Sequence, residues 1–135
     1  MAFIRFKPIS SYFNFNACIH KESLDSEGMK YIDTDNEKII FAYKTGKDVA
    51  LFTDQQIILF NKRGFGSRVK EVSAIPYHSI VTSAVFFGQV NSLIKITLYN
   101  TYPLTLSFFK TIDKVEIKKT YMLIEEHVKN KFEER

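Results

Sequence analysis

The spacing of apolar residues changes once along this chain, and that change constrains the fold more than any other feature. From Glu37 to Lys110 short runs rich in β-branched and aromatic residues, whose side chains fall alternately on two faces, read as strands. Beyond Lys110 the spacing becomes helical. Ile117, Tyr121, Ile124, Val128 and Phe132 recur at intervals of four, three, four and four, which places them on one helical face. Lys118, Lys119, Glu125, Glu126, Lys129 and Glu133 cover the rest. A run of strands closed by one amphipathic helix buries both patterns when the helix plugs an opening that the sheet leaves.

The turns divide the alternating region into seven strands. Ile39 to Lys44 and Val49 to Thr53 flank Thr45-Gly46-Lys47-Asp48 and form a first hairpin. Asp54 and Gln55 turn the chain into Gln56 to Asn61, and the glycine-containing loop Lys62 to Ser67 returns it as Arg68 to Ile75. Ser79 to Phe87, Leu93 to Tyr99 and Leu104 to Phe109 complete the set, separated by two segments of turn composition, 88–92 and 100–103. For the helix, Thr111 is the expected cap, and Asp113 near the start with Lys129 and Lys131 near the end suits the helix dipole.

The chain has 135 residues, enough for one domain. Its hydrophobic fraction of 45%, with thirteen Phe and seven Tyr, supplies a core that needs no metal or disulfide. The single cysteine, Cys18, has no internal partner and fits a reducing, cytoplasmic setting. At the amino terminus Arg5, Lys7 and Pro8 interrupt what a secretion signal would need as an unbroken apolar stretch. Residues 1–36 therefore read as an aromatic amino-terminal extension, partly helical or irregular, with one or two helical turns expected over Lys21 to Gly28. Residues 37–135 read as the domain proper.

Net charge is +4, and its distribution is uneven. Residues 37–76 carry seven basic and four acidic side chains, and 77–110 carry two basic and none acidic. From Val72 to Ile94 there is no Asp, Glu, Lys or Arg, although a quarter of the chain is charged. Pro76, His78, Gly88, Gln89 and Asn91 break this stretch well short of the run of about 18 apolar residues that a membrane-crossing helix requires.

At this point the residues carry a family resemblance. Seven strands followed by one amphipathic helix is the layout of the pleckstrin-homology-like (PH-like) fold, and Tyr43-Lys44-Thr45-Gly46-Lys47-Asp48-Val49-Ala50-Leu51-Phe52-Thr53-Asp54-Gln55-Gln56-Ile57-Ile58-Leu59-Phe60-Asn61-Lys62 resembles its bacterial members. Ile75-Pro76-Tyr77-His78-Ser79-Ile80 resembles a second bacterial motif, Ile-Pro-Tyr-x-Ser-Ile, which GRAM relatives of the fold partly share. A turn that often reads Thr-Asn-Lys-Arg in relatives is Thr53-Asp54-Gln55-Gln56 here, two positive charges fewer. The resemblance implies an all-β domain with one carboxy-terminal helix: a seven-stranded antiparallel half-open barrel or sandwich capped by an amphipathic helix. It also implies two roles. Bacterial members resemble self-assembling, ring-forming proteins, and eukaryotic relatives often bind inositol phospholipids through basic residues near the first hairpin.

The residues themselves weigh those roles. In Ser79 to Phe87 both alternating faces are apolar or small: Ile80, Thr82, Ala84 and Phe86 on one, Val81, Ser83, Val85 and Phe87 on the other. Such a strand needs a second cover, supplied either by a subunit interface rich in aromatics and poor in charge or by the amino-terminal segment or the carboxy-terminal helix folding over it within one chain. The expected interface is Val81, Val85, Phe86 and Phe87, with a homo-oligomer as the principal partner and a protein or peptide as another. The alternative is a peripheral membrane module at the inner membrane face. There Lys44, Lys47, Lys62, Arg63 and Arg68 would attract anionic head groups at about 1 kcal/mol per charge and Phe65 would insert.

Catalysis finds no pattern. His20, His78 and His127 lack metal-ligand spacing, Cys18 has no catalytic signature around it, and Gly64-x-Gly66 sits in a hairpin and not before a helix. His78 reads as a turn residue, Cys18 as a small buried hydrophobe and His127 as a solvent-side helix residue. No cofactor or metal is implied. Nucleic acid is not an expected partner, because Phe86, Phe87, Tyr99 and Phe108 lie in the charge-poor half, away from the basic cluster.

Overall fold

The computed structural model describes residues 12–19, 36–45, 48–62, 69–99 and 102–133, and the backbone alone of 61–62, 69–71 and 130–133. The chain runs β1 (Tyr12–Phe15), β2 (Ala17–Cys18), β3 (Ile39–Lys44), β4 (Asp48–Thr53), β5 (Gln56–Lys62), β6 (Val69–Pro76), a single 3-10 turn (Tyr77–Ser79), β7 (Ile80–Phe86), β8 (Asn91–Leu98), β9 (Pro103–Phe109) and the helix α1 (Lys114–Glu133). The seven strands expected from the alternation are β3 to β9, and the helix follows them as its period requires. The fold class is all-β with one closing helix.

Two further strands come from residues 12–18, read from the sequence as part of an extension. They belong to the sheets because Phe13 and Phe15, two residues apart, both point into the core, each 1% exposed. β1 pairs with β9 in parallel, the one parallel pairing among the described strands, and β2 pairs antiparallel with β3. The sheet orders are β1-β9-β8-β7 and β2-β3-β4-β5-β6. One corner between the sheets is thus bridged by β1 and β2, consecutive in sequence, and another by the 3-10 turn between β6 and β7. The expected helical turns over Lys21 to Gly28 lie outside the described residues, as do Met1 to Phe6.

The core lies between the sheets. Phe15, Tyr43 and Phe108 form an aromatic cluster with ring centroids 4.9 to 6.2 Å apart. Each fully buried Phe contributes about 1.5–3 kcal/mol of transfer free energy. A second apolar cluster, Ile39, Ala42, Leu51, Ile58 and Phe60, lies on the other face of the five-stranded sheet. β4 and β5 are therefore apolar on both faces. β3 serves both clusters because its pairing slips between Ile39 and Phe41, which moves Ile39 to the face opposite Phe41.

The helix packs on the 3-10 turn, β7 and β8. Ile117 and Ile124 are buried, and Tyr121 and Val128 are half-buried, as the spacing predicts, while Thr120 is buried beside them; the Phe132 side chain lies outside the described residues. The cap is Asp113 and not Thr111. Asp113 Oδ1 accepts the Val115 N–H at 2.9 Å, whereas Thr111 Oγ1 donates to the Asn16 carbonyl at 2.5 Å and ties the helix approach to the β1–β2 bend. Tyr43 pins the helix from inside. Its hydroxyl lies 2.5 Å from Thr120 Oγ1, which donates to Glu116 O at 2.9 Å.

Candidate functional site

β7 is the edge strand of the four-stranded sheet. The charge-free stretch from Val72 to Ile94 falls on the end of β6, the 3-10 turn, the whole of β7 and the start of β8, so it includes residues of two edge strands. Natural edges are commonly guarded by lysine or proline, and β7 carries neither.

A bulge sets which residues β7 presents. Its pairing with β8 slips between Ile80 and Thr82, so Ile80 stays in the core while Val81 and Thr82 are both exposed. From there Ser83 and Val85 are half-buried, and Ala84 and Phe86 are exposed. Plain alternation groups Val81 with Val85, and the bulge separates them. Val81 is 40% exposed, Phe86 61% and Phe87 43%, whereas Val85 packs against the core. Of the four expected interface residues, three form an exposed set and Val85 lies largely beneath it. A shallow apolar depression on the adjoining strands is lined by Ala84, Val85, Phe86, Leu93 and Lys95.

The following turn is tight. A Cβ at Gly88 would lie 2.3 Å from the Asn91 carbonyl oxygen, closer than any side chain tolerates, so glycine is required there. Farther back, Tyr121 of α1 donates to Ser83 O at 3.4 Å and shields that part of the edge. Phe86 and Phe87 lie beyond it.

The polar side chains gather elsewhere, around the β4–β5 turn. Thr53 Oγ1 accepts the Gln55 and Gln56 N–H groups at 3.0 Å each and donates to Glu37, which is buried and also accepts Gln56 Nε2 at 3.0 Å. Asp54 Oδ1 accepts the Lys38 N–H, and Gln55 Nε2 donates to Asn36 O. Tyr77 reaches in from the 3-10 turn and donates its hydroxyl to Thr53 O at 2.7 Å. Burial first, then the carboxylates of Asp54 and Glu37, push the Tyr77 phenol well above its ordinary range. Burial does the same to Tyr43, against a lowering contribution from its bond to Thr120. The departure of this turn from Thr-Asn-Lys-Arg thus serves internal bonding: Gln55 and Gln56 donate to the stretch before β3.

His127 joins this cluster. It is half-buried and stacks on Tyr77, with ring centroids 4.4 Å apart, so it is not the solvent-side residue the helical pattern suggests. Cys18 also differs from its expectation. It is exposed on β2, because β2 pairs with β3 at the sheet margin and turns that side chain outward. Partial burial, then Glu116 and Asp113, push its thiol up and keep it protonated. His78 is exposed in the 3-10 turn. No group of three or more His, Cys, Asp or Glu among the described residues is placed to hold a metal.

Of the basic set, Lys44 is exposed at the end of β3, and Lys62 ends β5 with only its backbone described. Lys47, Arg63, Phe65 and Arg68 lie outside the described residues. The backbone register does bring the two hairpins to one end of the sheet: Lys44 pairs with Val49 and Asp48 with Asn61, so the β3–β4 and β5–β6 connections leave the same side. No helix among the described residues is long and apolar enough to cross a membrane.

Two solved structures match most of this architecture. A DUF1696 family protein with a pleckstrin-homology domain from Shewanella loihica PV-4 superposes with a TM-score of 0.69 at 25% identity, covering 83% of this chain and 96% of that one. A pleckstrin homology domain from Shewanella amazonensis SB2B gives 0.54 at 30% identity over 73% and 86%. A PH domain containing protein from Exiguobacterium sibiricum 255-15, 19% identical, shares the fold with a TM-score of 0.68 over 89% of this chain and 65% of that one. The uncharacterised protein YjqA of Bacillus subtilis (strain 168) is 34% identical over 65 residues, and the chain spans about half the length of this curated relative, 52%. The family profile of the bacterial PH domain matches residues 13–128, from the first core aromatic of β1 to Val128 on α1, and the chain belongs to that family.

Proposed function

We infer that this domain is a non-enzymatic interaction module that assembles with copies of itself through the β7 edge, with Phe86 and Phe87 at the centre of the contact. One observation carries the reading: two consecutive aromatic residues, 61% and 43% exposed, end an edge strand inside a stretch without a formal charge. Exposed aromatics at the rim of an unguarded edge bury readily against another protein, and charge depletion is what interface cores share. Val81 extends the surface along the strand and Val85 supports it from below. If the contact joins two different patches head to tail, repetition closes a ring where the rotation between copies closes, and an open filament where it does not. The setting is the cytoplasm.

A second reading has its own observation. The β3–β4 and β5–β6 hairpins leave one end of the sheet, where Lys44 is exposed, and that end would collect Lys47, Lys62, Arg63 and Arg68 against an anionic inner membrane face, with Phe65 as the inserting residue.

Light scattering after size exclusion, at low and moderate salt, tests the first reading. The expected mass is a discrete multiple of 15.7 kDa that survives salt, falling to one chain in the Phe86→Ser/Phe87→Ser variant. Arg63→Glu/Arg68→Glu is expected to leave that mass unchanged while removing any binding to vesicles of anionic phospholipid. A wild-type monomer at both salt concentrations overturns assembly.

A further inference from the structure

Assembly through β7 requires a complementary surface on the next copy, and the outward face of the β7–β8 hairpin specifies its chemistry. Ala84 pairs with Lys95 and Phe86 with Leu93, so these four share one face, where they line a shallow depression together with Val85. Lys95 is its one charged residue. β7, β8 and β9 hold no acidic residue at all, so the carboxylate that this ammonium suits must come from elsewhere.

α1 carries the complement. Its inward face buries Ile117, Thr120 and Ile124, while its outward face leaves Val115 and Met122 each 56% exposed. Spaced by seven residues, these two share a stripe with Lys119, Glu126 and Lys129, all exposed. Glu126 follows Met122 by four residues, about 6 Å along the helix. Lys95 follows Leu93 by two, about 6.6 Å along β8. The step from apolar side chain to charge is thus nearly equal on the two faces, and the charges are opposite.

We propose that the outward stripe of α1 from a second copy docks on the β7–β8 face, with Met122 against Phe86 and Leu93 and Glu126 beside Lys95. This contact rests on assembly through Phe86 and Phe87 and supplies the second patch that such assembly needs. In that placement Val115 lies about 10 Å from Met122 in the direction of Phe87 and Val90, both exposed. Lys118 and Lys119 fall over the uncharged turn 88–91, Lys129 falls over Thr97, and Glu125 flanks Glu126. An exposed ion pair adds little affinity but fixes orientation, so the apolar contact survives moderate salt while Lys95 sets the direction of the helix. Two different patches make the contact head to tail.

Variants of the full chain test this by their mass in solution. Met122→Asp alone is expected to be a single chain, as is Phe86→Ser/Phe87→Ser alone, yet each keeps the patch that the other has lost. Mixed in equal amounts, they should form a species of twice 15.7 kDa and nothing larger. A mixture that stays at one chain overturns the contact. So does a Met122→Asp variant that assembles as the wild type does, a result that leaves assembly through β7 standing, whereas a wild-type monomer overturns both. Lys95→Glu should dissociate the assembly by facing Glu125 and Glu126, and adding Glu125→Lys/Glu126→Lys should restore it. An unchanged mass in Lys95→Glu overturns the placement of Glu126. This exchange of charge between exposed positions decides the question even where Met122→Asp fails to fold.

Discussion

Around the β4–β5 turn, polar side chains bind other parts of the same chain, while along β7 apolar side chains stand exposed. Thr53, Asp54, Gln55 and Gln56 all hydrogen-bond, to Glu37, Lys38, Asn36 and one another, and Tyr77 and His127 close over them from two further elements. β7 has Val81 and Phe86 outward at its bulge and at its end, with Phe87 following. The two regions reverse the usual signs. A buried carboxylate, a histidine and a tyrosine with a raised phenol are the groups that ordinarily mark a reactive site, yet here each is taken up by an internal partner. The neutral strand, which carries no charged group, leaves apolar surface exposed. The polar cluster fixes the strands and the helix behind that surface.

The deepest cut into the polar cluster removes the hydroxyl at its centre. Thr53→Val keeps the shape but leaves the Gln55 and Gln56 N–H groups and the Glu37 carboxylate short of a partner, all at or near a fully buried position. The expected loss is about 2–3 kcal/mol, read as a lower urea midpoint with an unchanged slope. A loss below about 0.5 kcal/mol would show that water replaces the hydroxyl and that the turn is not a structural anchor.

Tyr77→Phe is a smaller cut into the same cluster. It removes the donor to Thr53 O at 2.7 Å and should reduce stability by about 1–2 kcal/mol near neutral pH. Its pH dependence has a fixed sign. The folded chain holds the phenols of Tyr43 and Tyr77 protonated at pH values where the unfolded chain has released them, so the unfolded state binds fewer protons and stability falls as pH rises above about 10. Tyr77→Phe should flatten part of that alkaline decline, and ultraviolet titration of the folded variant should show one fewer tyrosine resisting ionisation. An alkaline decline unchanged by the substitution would place the resistance at Tyr43 alone.

These regions also differ in how far the sequence discloses them. The strands β3 to β9 and α1 are legible because each is local: alternation, turn residues and a helical spacing report on neighbours within a few positions. The polar cluster is not. Glu37 meets Thr53 across 16 residues and His127 meets Asp54 across 73, and nothing in the local pattern of any of them signals a partner. Cys18 and β1 fail for a related reason, since two short strands flanked by polar residues carry too few positions for a period to show. On β7 the charge-free composition is legible and the face assignment is not, because a single bulged residue reverses alternation and no local signal marks where the pairing slips.

That bulge can be tested with the smallest perturbation of all. If the slip lies between Ile80 and Thr82, a lysine at Val81 reaches water and one at Val85 must enter a packed site. Val81→Lys is then expected to change the stability of the single chain by less than about 0.5 kcal/mol, whereas Val85→Lys loses about 1–3 kcal/mol from packing and from a charge brought near the core. Urea denaturation at a protein concentration low enough to dissociate any assembly separates the two. Equal effects would mean that strict alternation holds and that both residues share one face. With the bulge in place, Val81→Lys also puts on the edge the charge that natural edge strands use against pairing, so the mass in solution should fall while the fold stays intact. A lysine there that leaves both stability and mass unchanged would confine the contact surface to Phe86 and Phe87 at the far end of the strand.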